Sequence, residues 1–257
     1  MCGIVGCIGN GNKQKIERMV DTLHHRGPND RGIHEFTGGI FGHTRLSIVD
    51  VKGGHQPILK NEGKTGIICN GEIYNFKELA KEYLDGYDFD TQSDTEVILN
   101  LYRRFGPDAV AMLDGMFSFA IMDGDDFILA RDPIGIKPLY YGYDDGVMYF
   151  SSELGAMSIA NVNEVDEFPQ GYYFTGKKGF VQYYSVPPVN DSTLTNIDDA
   201  SKAIRETFIR SVKKRLLADP EVPVWILLLG RSGQQSCGRH CRRIDSQSAH
   251  LCGGNEG

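Results

Sequence analysis

The order of strand-like and helix-like segments limits most strongly which folds this chain can adopt. Short apolar runs bounded by glycine predict strands, as at Cys2–Ile8, and apolar residues at helical spacing predict helices, as at Lys13–His24. The two kinds of segment come in mixed blocks, without the regular strand–helix–strand alternation of a parallel sheet. Such blocks are typical of antiparallel sheets with helices packed on them. The sequence therefore predicts an α+β fold built mainly on antiparallel sheets.

Two local signals add detail to this prediction. Asn70 and Gly71 follow the apolar run Thr65–Cys69, which predicts a sharp turn at the end of a strand. Ser93 and Glu96 have the spacing of a capping box, which predicts that a helix begins between them.

Composition divides the chain into three parts. Residues 2–188 form the first predicted domain, which ends in the proline-containing linker Ser185–Val189. Residues 189–229 contain one amphipathic helix, Asp198–Leu217, and a short strand. The tail, 230–257, holds four arginines, no lysine and three of the six cysteines, with few other apolar side chains. Such a segment cannot form a core, so we expect the tail to be disordered and the helix to lack its packing partners.

Charge and hydropathy argue against several classes of partner. The formal net charge is -7, which argues against binding to nucleic acid. No apolar run reaches the roughly 18 residues of a membrane span, so we expect no membrane partner. The first residues also lack the basic and long apolar regions of a signal peptide. These features predict a cytoplasmic protein whose cysteines stay reduced.

Cys2 is the first candidate for catalysis. A small second residue permits removal of Met1, which leaves the thiol of Cys2 beside its own α-amine. The reference pKa of an α-amine, ~7.7–8.0, is low enough for the amine to act as a base near neutral pH. One residue then supplies both the nucleophile and the base. The alternative is that Cys2 is a small apolar residue that opens a strand.

Seven motifs occur in one order along the chain and together carry a family resemblance. They are Met1–Gly6, His25–Pro28, Gly42–Asp50, Asn70–Asn75, Ser93–Asp94, Asp114–Ala120 and Arg131–Tyr140. Over residues 2–229 the chain resembles the N-terminal glutaminase domain of glutamine-hydrolysing asparagine synthetases. These are class II glutamine amidotransferases of the N-terminal-nucleophile hydrolase superfamily. The resemblance implies a four-layer αββα sandwich of two mainly antiparallel sheets.

The resemblance also implies a reaction at Cys2. The thiol would attack the side-chain amide of L-glutamine, release ammonia and leave a γ-glutamyl thioester that water hydrolyses to glutamate. The tetrahedral intermediate carries an oxyanion, which needs hydrogen-bond donors already in place. By resemblance these donors are the side-chain amide of Asn70 and the backbone N–H of Gly71. Without the resemblance, the Asn-Gly pair is an ordinary turn.

L-glutamine is a zwitterion, so its site needs one fixed cation and one fixed anion. By resemblance, Arg45 holds the α-carboxylate, a task suited to a planar guanidinium, and Asp94 holds the α-ammonium. Taken singly, Arg45 is a surface strand residue and Asp94 is a first-turn acid favoured by the helix dipole. The resemblance implies that the rest of the wall comes from Leu46, Ser47, Ile48, Val49, Asn70, Gly71 and Glu72.

The resemblance implies no cofactor and no metal ion for the glutaminase domain. ATP, magnesium and aspartate are expected only for the synthetase domain of the resembled family. L-glutamine is therefore the expected small-molecule partner of this domain, and a homodimer is a candidate assembly.

Two alternative functions stay open. One is another class II amidotransferase, of the sugar-phosphate aminating or the purine-pathway phosphoribosyl type, although Arg45–Asp50 and its spacing to Asn70 resemble the asparagine synthetases better. The other is a zinc-binding interaction module in the tail, which the zinc content of the purified chain would test. Its candidate ligands have irregular spacing and are Cys237, Cys241, His250 and Cys252.

The tail also predicts a change in the reading frame of the gene. In the resembled family, the strand that matches Val222–Leu228 is followed by Ser-Gly-Gly-Leu-Asp-Ser-Ser, a loop whose backbone N–H groups cradle the pyrophosphate of ATP. Synonymous codons can be chosen for Leu229–Cys241 so that, when the first base is dropped, the shifted frame encodes this loop. We therefore expect one inserted base at the Leu229 codon. We also expect no ATP- and aspartate-dependent asparagine formation by the 257-residue chain.

Sequencing the gene checks this expectation. A shifted frame that continues into a long synthetase reading frame would support it, and early stop codons in that frame would contradict it. Asparagine formed by the purified chain from ATP and aspartate would independently contradict its functional half.

Overall fold

The computed structural model describes residues 1–188, 196–220, 222, 224–228 and 249–253. The chain divides into two compact units, Met1–Val186 and Pro187–Gly257. The helices of the first unit are α1 (Lys13–Thr22), α2 (Phe76–Tyr83), α3 (Asp94–Phe105) and α4 (Leu154–Ile159). Its strands are β1 (Gly3–Ile8), β2 (Asp30–Phe36), β3 (Gly39–Arg45), β4 (Ile58–Lys60), β5 (Thr65–Ile73), β6 (Gly115–Asp123), β7 (Asp126–Arg131), β8 (Tyr140–Asp144), β9 (Val147–Ser151), β10 (Val165–Glu167), β11 (Tyr172–Thr175) and β12 (Gly179–Gln182).

The strands of the first unit form two six-stranded sheets. The strand order is β10-β8-β9-β1-β3-β2 in the first sheet and β12-β11-β7-β6-β5-β4 in the second. The described pairings within both sheets are antiparallel, as the sequence predicts. β1 lies between β3 and β9, and β5 lies between β4 and β6, so the strands that carry the N-terminus and Asn70 are both internal.

Alternate side chains of each strand face different cores, because successive residues in a strand point to opposite faces. In β1, Ile4 packs between the two sheets with Phe41 and Ile68, whereas Val5 packs against α1 and α4. On the second sheet, α3 packs against β5, and α2 packs against α3. The layers therefore follow the order helix, sheet, sheet, helix, which confirms the predicted αββα sandwich.

Strand β5 corrects one prediction made from the sequence. It continues through Ile73, so Asn70 and Gly71 lie inside a strand and not at a turn after its end. Asn70 pairs with Ser118 of β6, and Gly71 pairs with Phe117. These cross-strand partners keep the backbone extended where the local Asn-Gly signal favours a turn.

The capping box is formed only in part. The hydroxyl of Ser93 caps α3 by accepting from the N–H of Thr95 (3.2 Å). The carboxylate of Glu96 is fully buried and accepts instead from the N–H groups of Asp90 (2.9 Å) and Thr91 (2.7 Å). Glu96 thus holds the segment that leads into α3.

The described part of the second unit contains α5 (Ile197–Lys214), β13 (Val224–Leu228) and β14 (Ala249–Gly253). β13 and β14 pair in parallel, a pairing that the prediction of a disordered tail did not include. The rest of that prediction lies outside the described residues. Neither α5 nor any other helix in the described ranges combines the length and the apolar character needed to cross a membrane.

Candidate functional site

The loop after α1 holds the N-terminus at one end of β1. The Nε–H of Arg26 donates to the carbonyl oxygen of Cys2 (2.9 Å), and the α-ammonium of Met1 donates to the carbonyl oxygen of Arg26 (3.0 Å). Glu153 pairs with the same guanidinium at 2.7 Å. Gly27 is required in this loop because a Cβ there would collide with the backbone of β3. Arg26 and Gly27 therefore position Cys2.

The thiol of Cys2 lies against the first residue after β3. The N–H of Leu46 donates to Sγ (3.4 Å), and Sγ is 3.6 Å from the carbonyl oxygen of Leu46. Burial raises the pKa of the Cys2 thiol, because a buried thiolate loses its solvation. The Leu46 N–H and the positive charges of the N-terminus, Arg45 and Lys137 oppose this rise. The thiol is therefore protonated near neutral pH and needs a base before it can act as a nucleophile.

Asn70 has a buried amide without a hydrogen-bond partner in the part of the chain that the structure describes. The residue is 1% exposed, and neither Nδ2 nor Oδ1 has a hydrogen-bond partner among the described residues. Leaving a buried polar group unpaired costs about 1–3 kcal/mol, so such groups are rare. The amide of Asn70 is available to a bound molecule.

Gly71, the next residue of β5, allows β6 to approach closely. A Cβ at Gly71 would lie 2.5 Å from the carbonyl oxygen of Met116, which is too close for any side chain. Glycine therefore permits the strand pairing that carries Asn70 into the site.

The guanidinium of Arg45 organises the loop that follows β3. Arg45 is 6% exposed, so it is not the surface residue of the alternative interpretation. Its Nη1 donates to the carbonyl oxygen of Val51 (3.2 Å), and its Nη2 donates to those of Val49 (3.1 Å) and Asp50 (2.6 Å). Three of the five N–H groups of the guanidinium thus hold the loop in place.

Asp50 ties this loop to the segment before α3. Its φ of 50° lies in the left-handed region, where aspartate is found more often than most residues. One carboxylate oxygen accepts from the N–H of Gly53 (3.0 Å), and the other accepts from the N–H of Gln92 (2.8 Å). Asp50 therefore links the segments that carry Arg45 and Asp94. Sequence reasoning included Asp50 in a motif but assigned it no role.

Asp94 lies in the first turn of α3 and directs its carboxylate at β5. One oxygen accepts from the N–H of Ile73 (2.8 Å), and the other accepts from the hydroxyl of Ser93 (3.4 Å). Burial raises the pKa of this carboxyl above its ordinary value, and these hydrogen bonds oppose the rise. Asp94 is 6% exposed, so it is a buried acid and not a solvated one.

These side chains meet around a cavity of about 260 Å³. Sites for drug-sized ligands usually measure about 300–1,000 Å³, so this cavity suits a smaller molecule. Ser47 is not among the lining residues, and its N–H donates instead to the side-chain oxygen of Asn29 (3.1 Å). The other nine predicted site residues line the cavity, namely Cys2, Arg45, Leu46, Ile48, Val49, Asn70, Gly71, Glu72 and Asp94.

The cavity also contains residues that sequence reasoning did not assign to the site. Gln56 is buried, and its Oε1 accepts from the N–H of Cys69 (2.6 Å). Lys137 is buried too, and its Nζ lies 3.3 Å from Sδ of Met1. Lys137 lies in the motif Arg131–Tyr140, which was its one signal in the sequence, whereas Gln56 lies in none of the seven motifs. The others are Met1, Gly54, Cys69, Ser93, Thr95, Met116 and Ile136.

A larger cavity of about 510 Å³ is lined by fewer charged side chains. Of its described lining residues, Arg131 and Glu167 are charged, and they pair with each other at 2.7 Å. Within the described ranges there is no group of three or more His, Cys, Asp or Glu side chains that could hold a metal ion. Cys237 and Cys241 of the zinc hypothesis lie outside those ranges, so that hypothesis stays a prediction. The smaller cavity is the candidate functional site.

Comparison with known proteins finds matches over most of the chain. The family model of the glutamine amidotransferase domain matches residues 1–190. The chain is similar to asparagine synthetase (glutamine-hydrolyzing) 3 of Arabidopsis thaliana, at 39% identity over 238 residues. It is also similar to the glutamine-hydrolyzing asparagine synthetases of Zea mays, at 41% over 239 residues, and of Escherichia coli (synthetase B), at 41% over 241 residues. Each match covers 90% of this chain but only 40% to 43% of the relative.

Solved structures share the fold. A glutamine phosphoribosylpyrophosphate amidotransferase from B. subtilis, complexed with ADP and GMP, matches with a TM-score of 0.63 at 21% identity. The match covers 97% of this chain and 65% of that one. An allosteric regulatory enzyme of purine biosynthesis matches with the same TM-score of 0.63 at 20% identity. At these identities the likeness concerns the fold alone.

Proposed function

The chain belongs to the glutamine amidotransferase domain family, and on that premise we propose that it hydrolyses L-glutamine to glutamate and ammonia through a thioester on Cys2. The observation that carries this proposal is the amide of Asn70, which has no hydrogen-bond partner among the described residues and lies in the cavity that also holds the Cys2 thiol. An oxyanion formed when Cys2 attacks a substrate gives that amide the hydrogen bond it lacks.

The first step needs a base, which processing of the N-terminus supplies. Removal of Met1 frees the α-amine of Cys2, which in its neutral form accepts the thiol proton. Sγ then bonds to the side-chain carbonyl carbon of glutamine, and the π electrons move to the amide oxygen. The Nδ2–H of Asn70 and the N–H of Gly71 stabilise this oxyanion.

The same α-amine completes the cycle. As an ammonium it returns its proton to the leaving nitrogen, the C–N bond breaks, and ammonia departs from the thioester. The amine then accepts a proton from water, whose oxygen bonds to the thioester carbon. Breakage of the C–S bond releases glutamate, and the proton returns to Sγ of Cys2.

Two charged residues fit the two ends of the free amino acid. Arg45 and Asp94 line the same cavity with opposite charges. Arg45 binds the α-carboxylate, and Asp94 in its ionised form binds the α-ammonium. Asp50 acts indirectly, since it holds the loop of Arg45 to the segment of Asp94.

Replacing Arg45 with alanine should raise the KM for glutamine by about 10- to 100-fold, and kcat should fall as well because the substitution also releases the loop after β3. The lost hydrogen bonds to the carboxylate are charge-assisted and worth about 1.5–3 kcal/mol, and each 1.4 kcal/mol is tenfold. Initial rates of glutamate release over a range of glutamine concentrations measure the effect. Arg31→Ala is the matched control, because it removes an exposed guanidinium paired with Asp21. An unchanged KM in Arg45→Ala would show that the α-carboxylate binds elsewhere.

The ammonia serves asparagine synthesis in this proposal. The curated relatives at about 40% identity are named asparagine synthetases, which favours this use over the sugar-phosphate and purine-pathway types. The chain spans about 40% of their length, so we propose ATP, magnesium and aspartate for the region of the relatives that the match does not cover. Cytoplasmic location and a homodimer stay predictions.

The proposal is tested by incubating the purified full chain with L-glutamine and quantifying glutamate and ammonia. Equal release of both products is expected, and added hydroxylamine should trap the thioester as γ-glutamylhydroxamate. L-asparagine, whose side chain is one methylene shorter, is the substrate control and should be hydrolysed far more slowly. Failure of a chain that has lost Met1 to release glutamate would overturn the proposal.

A further inference from the structure

Lys137 is a buried cation without a carboxylate partner among the described residues. It is 5% exposed and lines the cavity that holds Cys2. Its Nζ lies 3.3 Å from Sδ of Met1 and forms no ion pair with the Asp and Glu residues that the structure describes. A thioether is a weak acceptor, and burial of an unpaired ammonium is costly. A buried cation in the cavity that holds the Cys2 thiol indicates that Lys137 has a role in the reaction of that thiol.

The loop between β7 and β8 holds the backbone of Lys137 from both sides. The N–H of Lys137 donates to Oδ2 of Asp132 (2.9 Å), and the carbonyl oxygen of Lys137 accepts from the Nε–H of Arg131 (2.8 Å). The fully buried Asp132 also accepts from the N–H groups of Ile134 (3.2 Å) and Ile136 (2.9 Å). The turn is thus built around Asp132, and Lys137 is the charged residue that it contributes to the cavity wall.

We propose that Lys137 keeps the N-terminal residue in its reactive form. Once Met1 is removed, the ammonium of Lys137 loses its thioether contact and faces the α-amine and thiol of Cys2. A fixed positive charge favours the forms of this pair that carry fewer protons, so a larger share is ready to attack near neutral pH. Lys137 acts through Cys2 and is a positioning residue. This inference rests on the proposed glutamine hydrolysis.

The other cations near the N-terminus hold backbone groups. Arg26 donates to the carbonyl oxygen of Cys2 (2.9 Å), and Arg45 donates to the carbonyl groups of its own loop. Replacing either one therefore disturbs the backbone as well as the charge. A change at Lys137 isolates the effect of charge. The remaining titratable groups that line the cavity are the thiol of Cys69 and the carboxyls of Glu72 and Asp94.

The electrostatic effects on the Cys2 thiol and on the present N-terminal ammonium, that of Met1, have the sign that the proposal requires. Burial lowers the pKa of the α-ammonium at Met1; the Cys2 thiol opposes this, and Arg26 and Lys137 lower the pKa further. Lys137 also opposes the rise that burial causes in the pKa of the Cys2 thiol. Loss of the Lys137 charge should therefore raise the pKa of the Cys2 thiol, and we expect the same direction for the α-ammonium that Cys2 carries after Met1 is removed.

The pH dependence of kcat/KM for glutamine, measured with the full chain, tests the inference. Lys137→Met removes the charge, so the acid limb, where the amine gains its proton, should move up by about one pH unit. Lys137→Arg retains the charge and should keep the parental acid limb. Lys178→Met removes an exposed lysine from the turn between β11 and β12 and controls for net charge. An unshifted acid limb in Lys137→Met, with the rate lowered equally at every pH, would overturn the inference.

Alkylation of Cys2 by iodoacetamide gives a second readout that does not need glutamine turnover. Mass spectrometry of the labelled N-terminal peptide should show a higher midpoint pH in Lys137→Met than in the parent or Lys137→Arg. If the parent releases no glutamate, the proposed function fails, and the alkylation midpoint still decides the role of Lys137. If thermal melting shows that Lys137→Met does not fold, Lys137→Gln takes its place. An unshifted midpoint in the folded neutral variant contradicts the inference.

Discussion

Replacing Cys2 with alanine should abolish glutamine hydrolysis, because it removes the sulfur that forms the thioester. Of the other described cysteines, Cys69 also lines the cavity. Burial raises the pKa of its thiol well above the ordinary value, and Cys69 lies on β5, away from the N-terminal amine. No second nucleophile is therefore expected to take over. Glutamate release by Cys2→Ala should fall to the background of an assay that readily follows the parent.

Cys7→Ala is the matched control for this substitution. Cys7 lies on β1, the strand that Cys2 directly precedes, but it packs into the core against α1 and α4 and does not line the cavity. The variant should lose some thermal stability and keep its activity. The mass of the N-terminal peptide is measured alongside, because the base is free only after Met1 is removed. Glutamate release by Cys2→Ala, or by a parent that retains Met1, would contradict the mechanism.

Replacing Asn70 with alanine should lower kcat by about 10²–10³ with a smaller change in KM, which is the usual effect of removing one oxyanion donor. The N–H of Gly71 remains as the second donor, so some activity should survive. Because Nδ2 and Oδ1 of Asn70 have no partner among the described residues, the substitution breaks no described hydrogen bond. We therefore expect only a small change in Tm. Single-turnover and steady-state rates, together with a thermal melt, measure these effects.

Asn100 offers a matched control for Asn70. It is fully buried in α3, and both of its amide atoms likewise lack partners within the described residues, but it does not line the cavity. Asn100→Ala should therefore leave kcat near the parental value. If both variants lost activity to the same extent, the effect at Asn70 would be structural and the oxyanion assignment wrong.

The sequence by itself determined the class of fold and half of the residues around the cavity. Helix α3 begins at Asp94, between Ser93 and Glu96, as the sequence indicates, because a cap acts on near neighbours. The resemblance also assigns to the site nine of the residues that meet at the cavity, although they come from four separate segments of the chain. A motif specifies residue types that act together in one site, so the residues of the site can be identified without knowing the path of the backbone.

Only the tertiary structure decided how these residues are held. Asn70 is extended because it pairs with Ser118, and the polar strand β2 exists because it pairs with β3 at the edge of its sheet. The link from Asp50 to Gln92 and the burial of Lys137 beside Met1 likewise join residues far apart in sequence. Local patterns record the preferences of neighbouring residues, whereas strand pairing and burial depend on partners that the folded chain brings from a distance. Within the described residues, the Asn70 amide has no hydrogen-bond partner and the Lys137 ammonium has no carboxylate partner, and for that reason both become visible only in the folded protein.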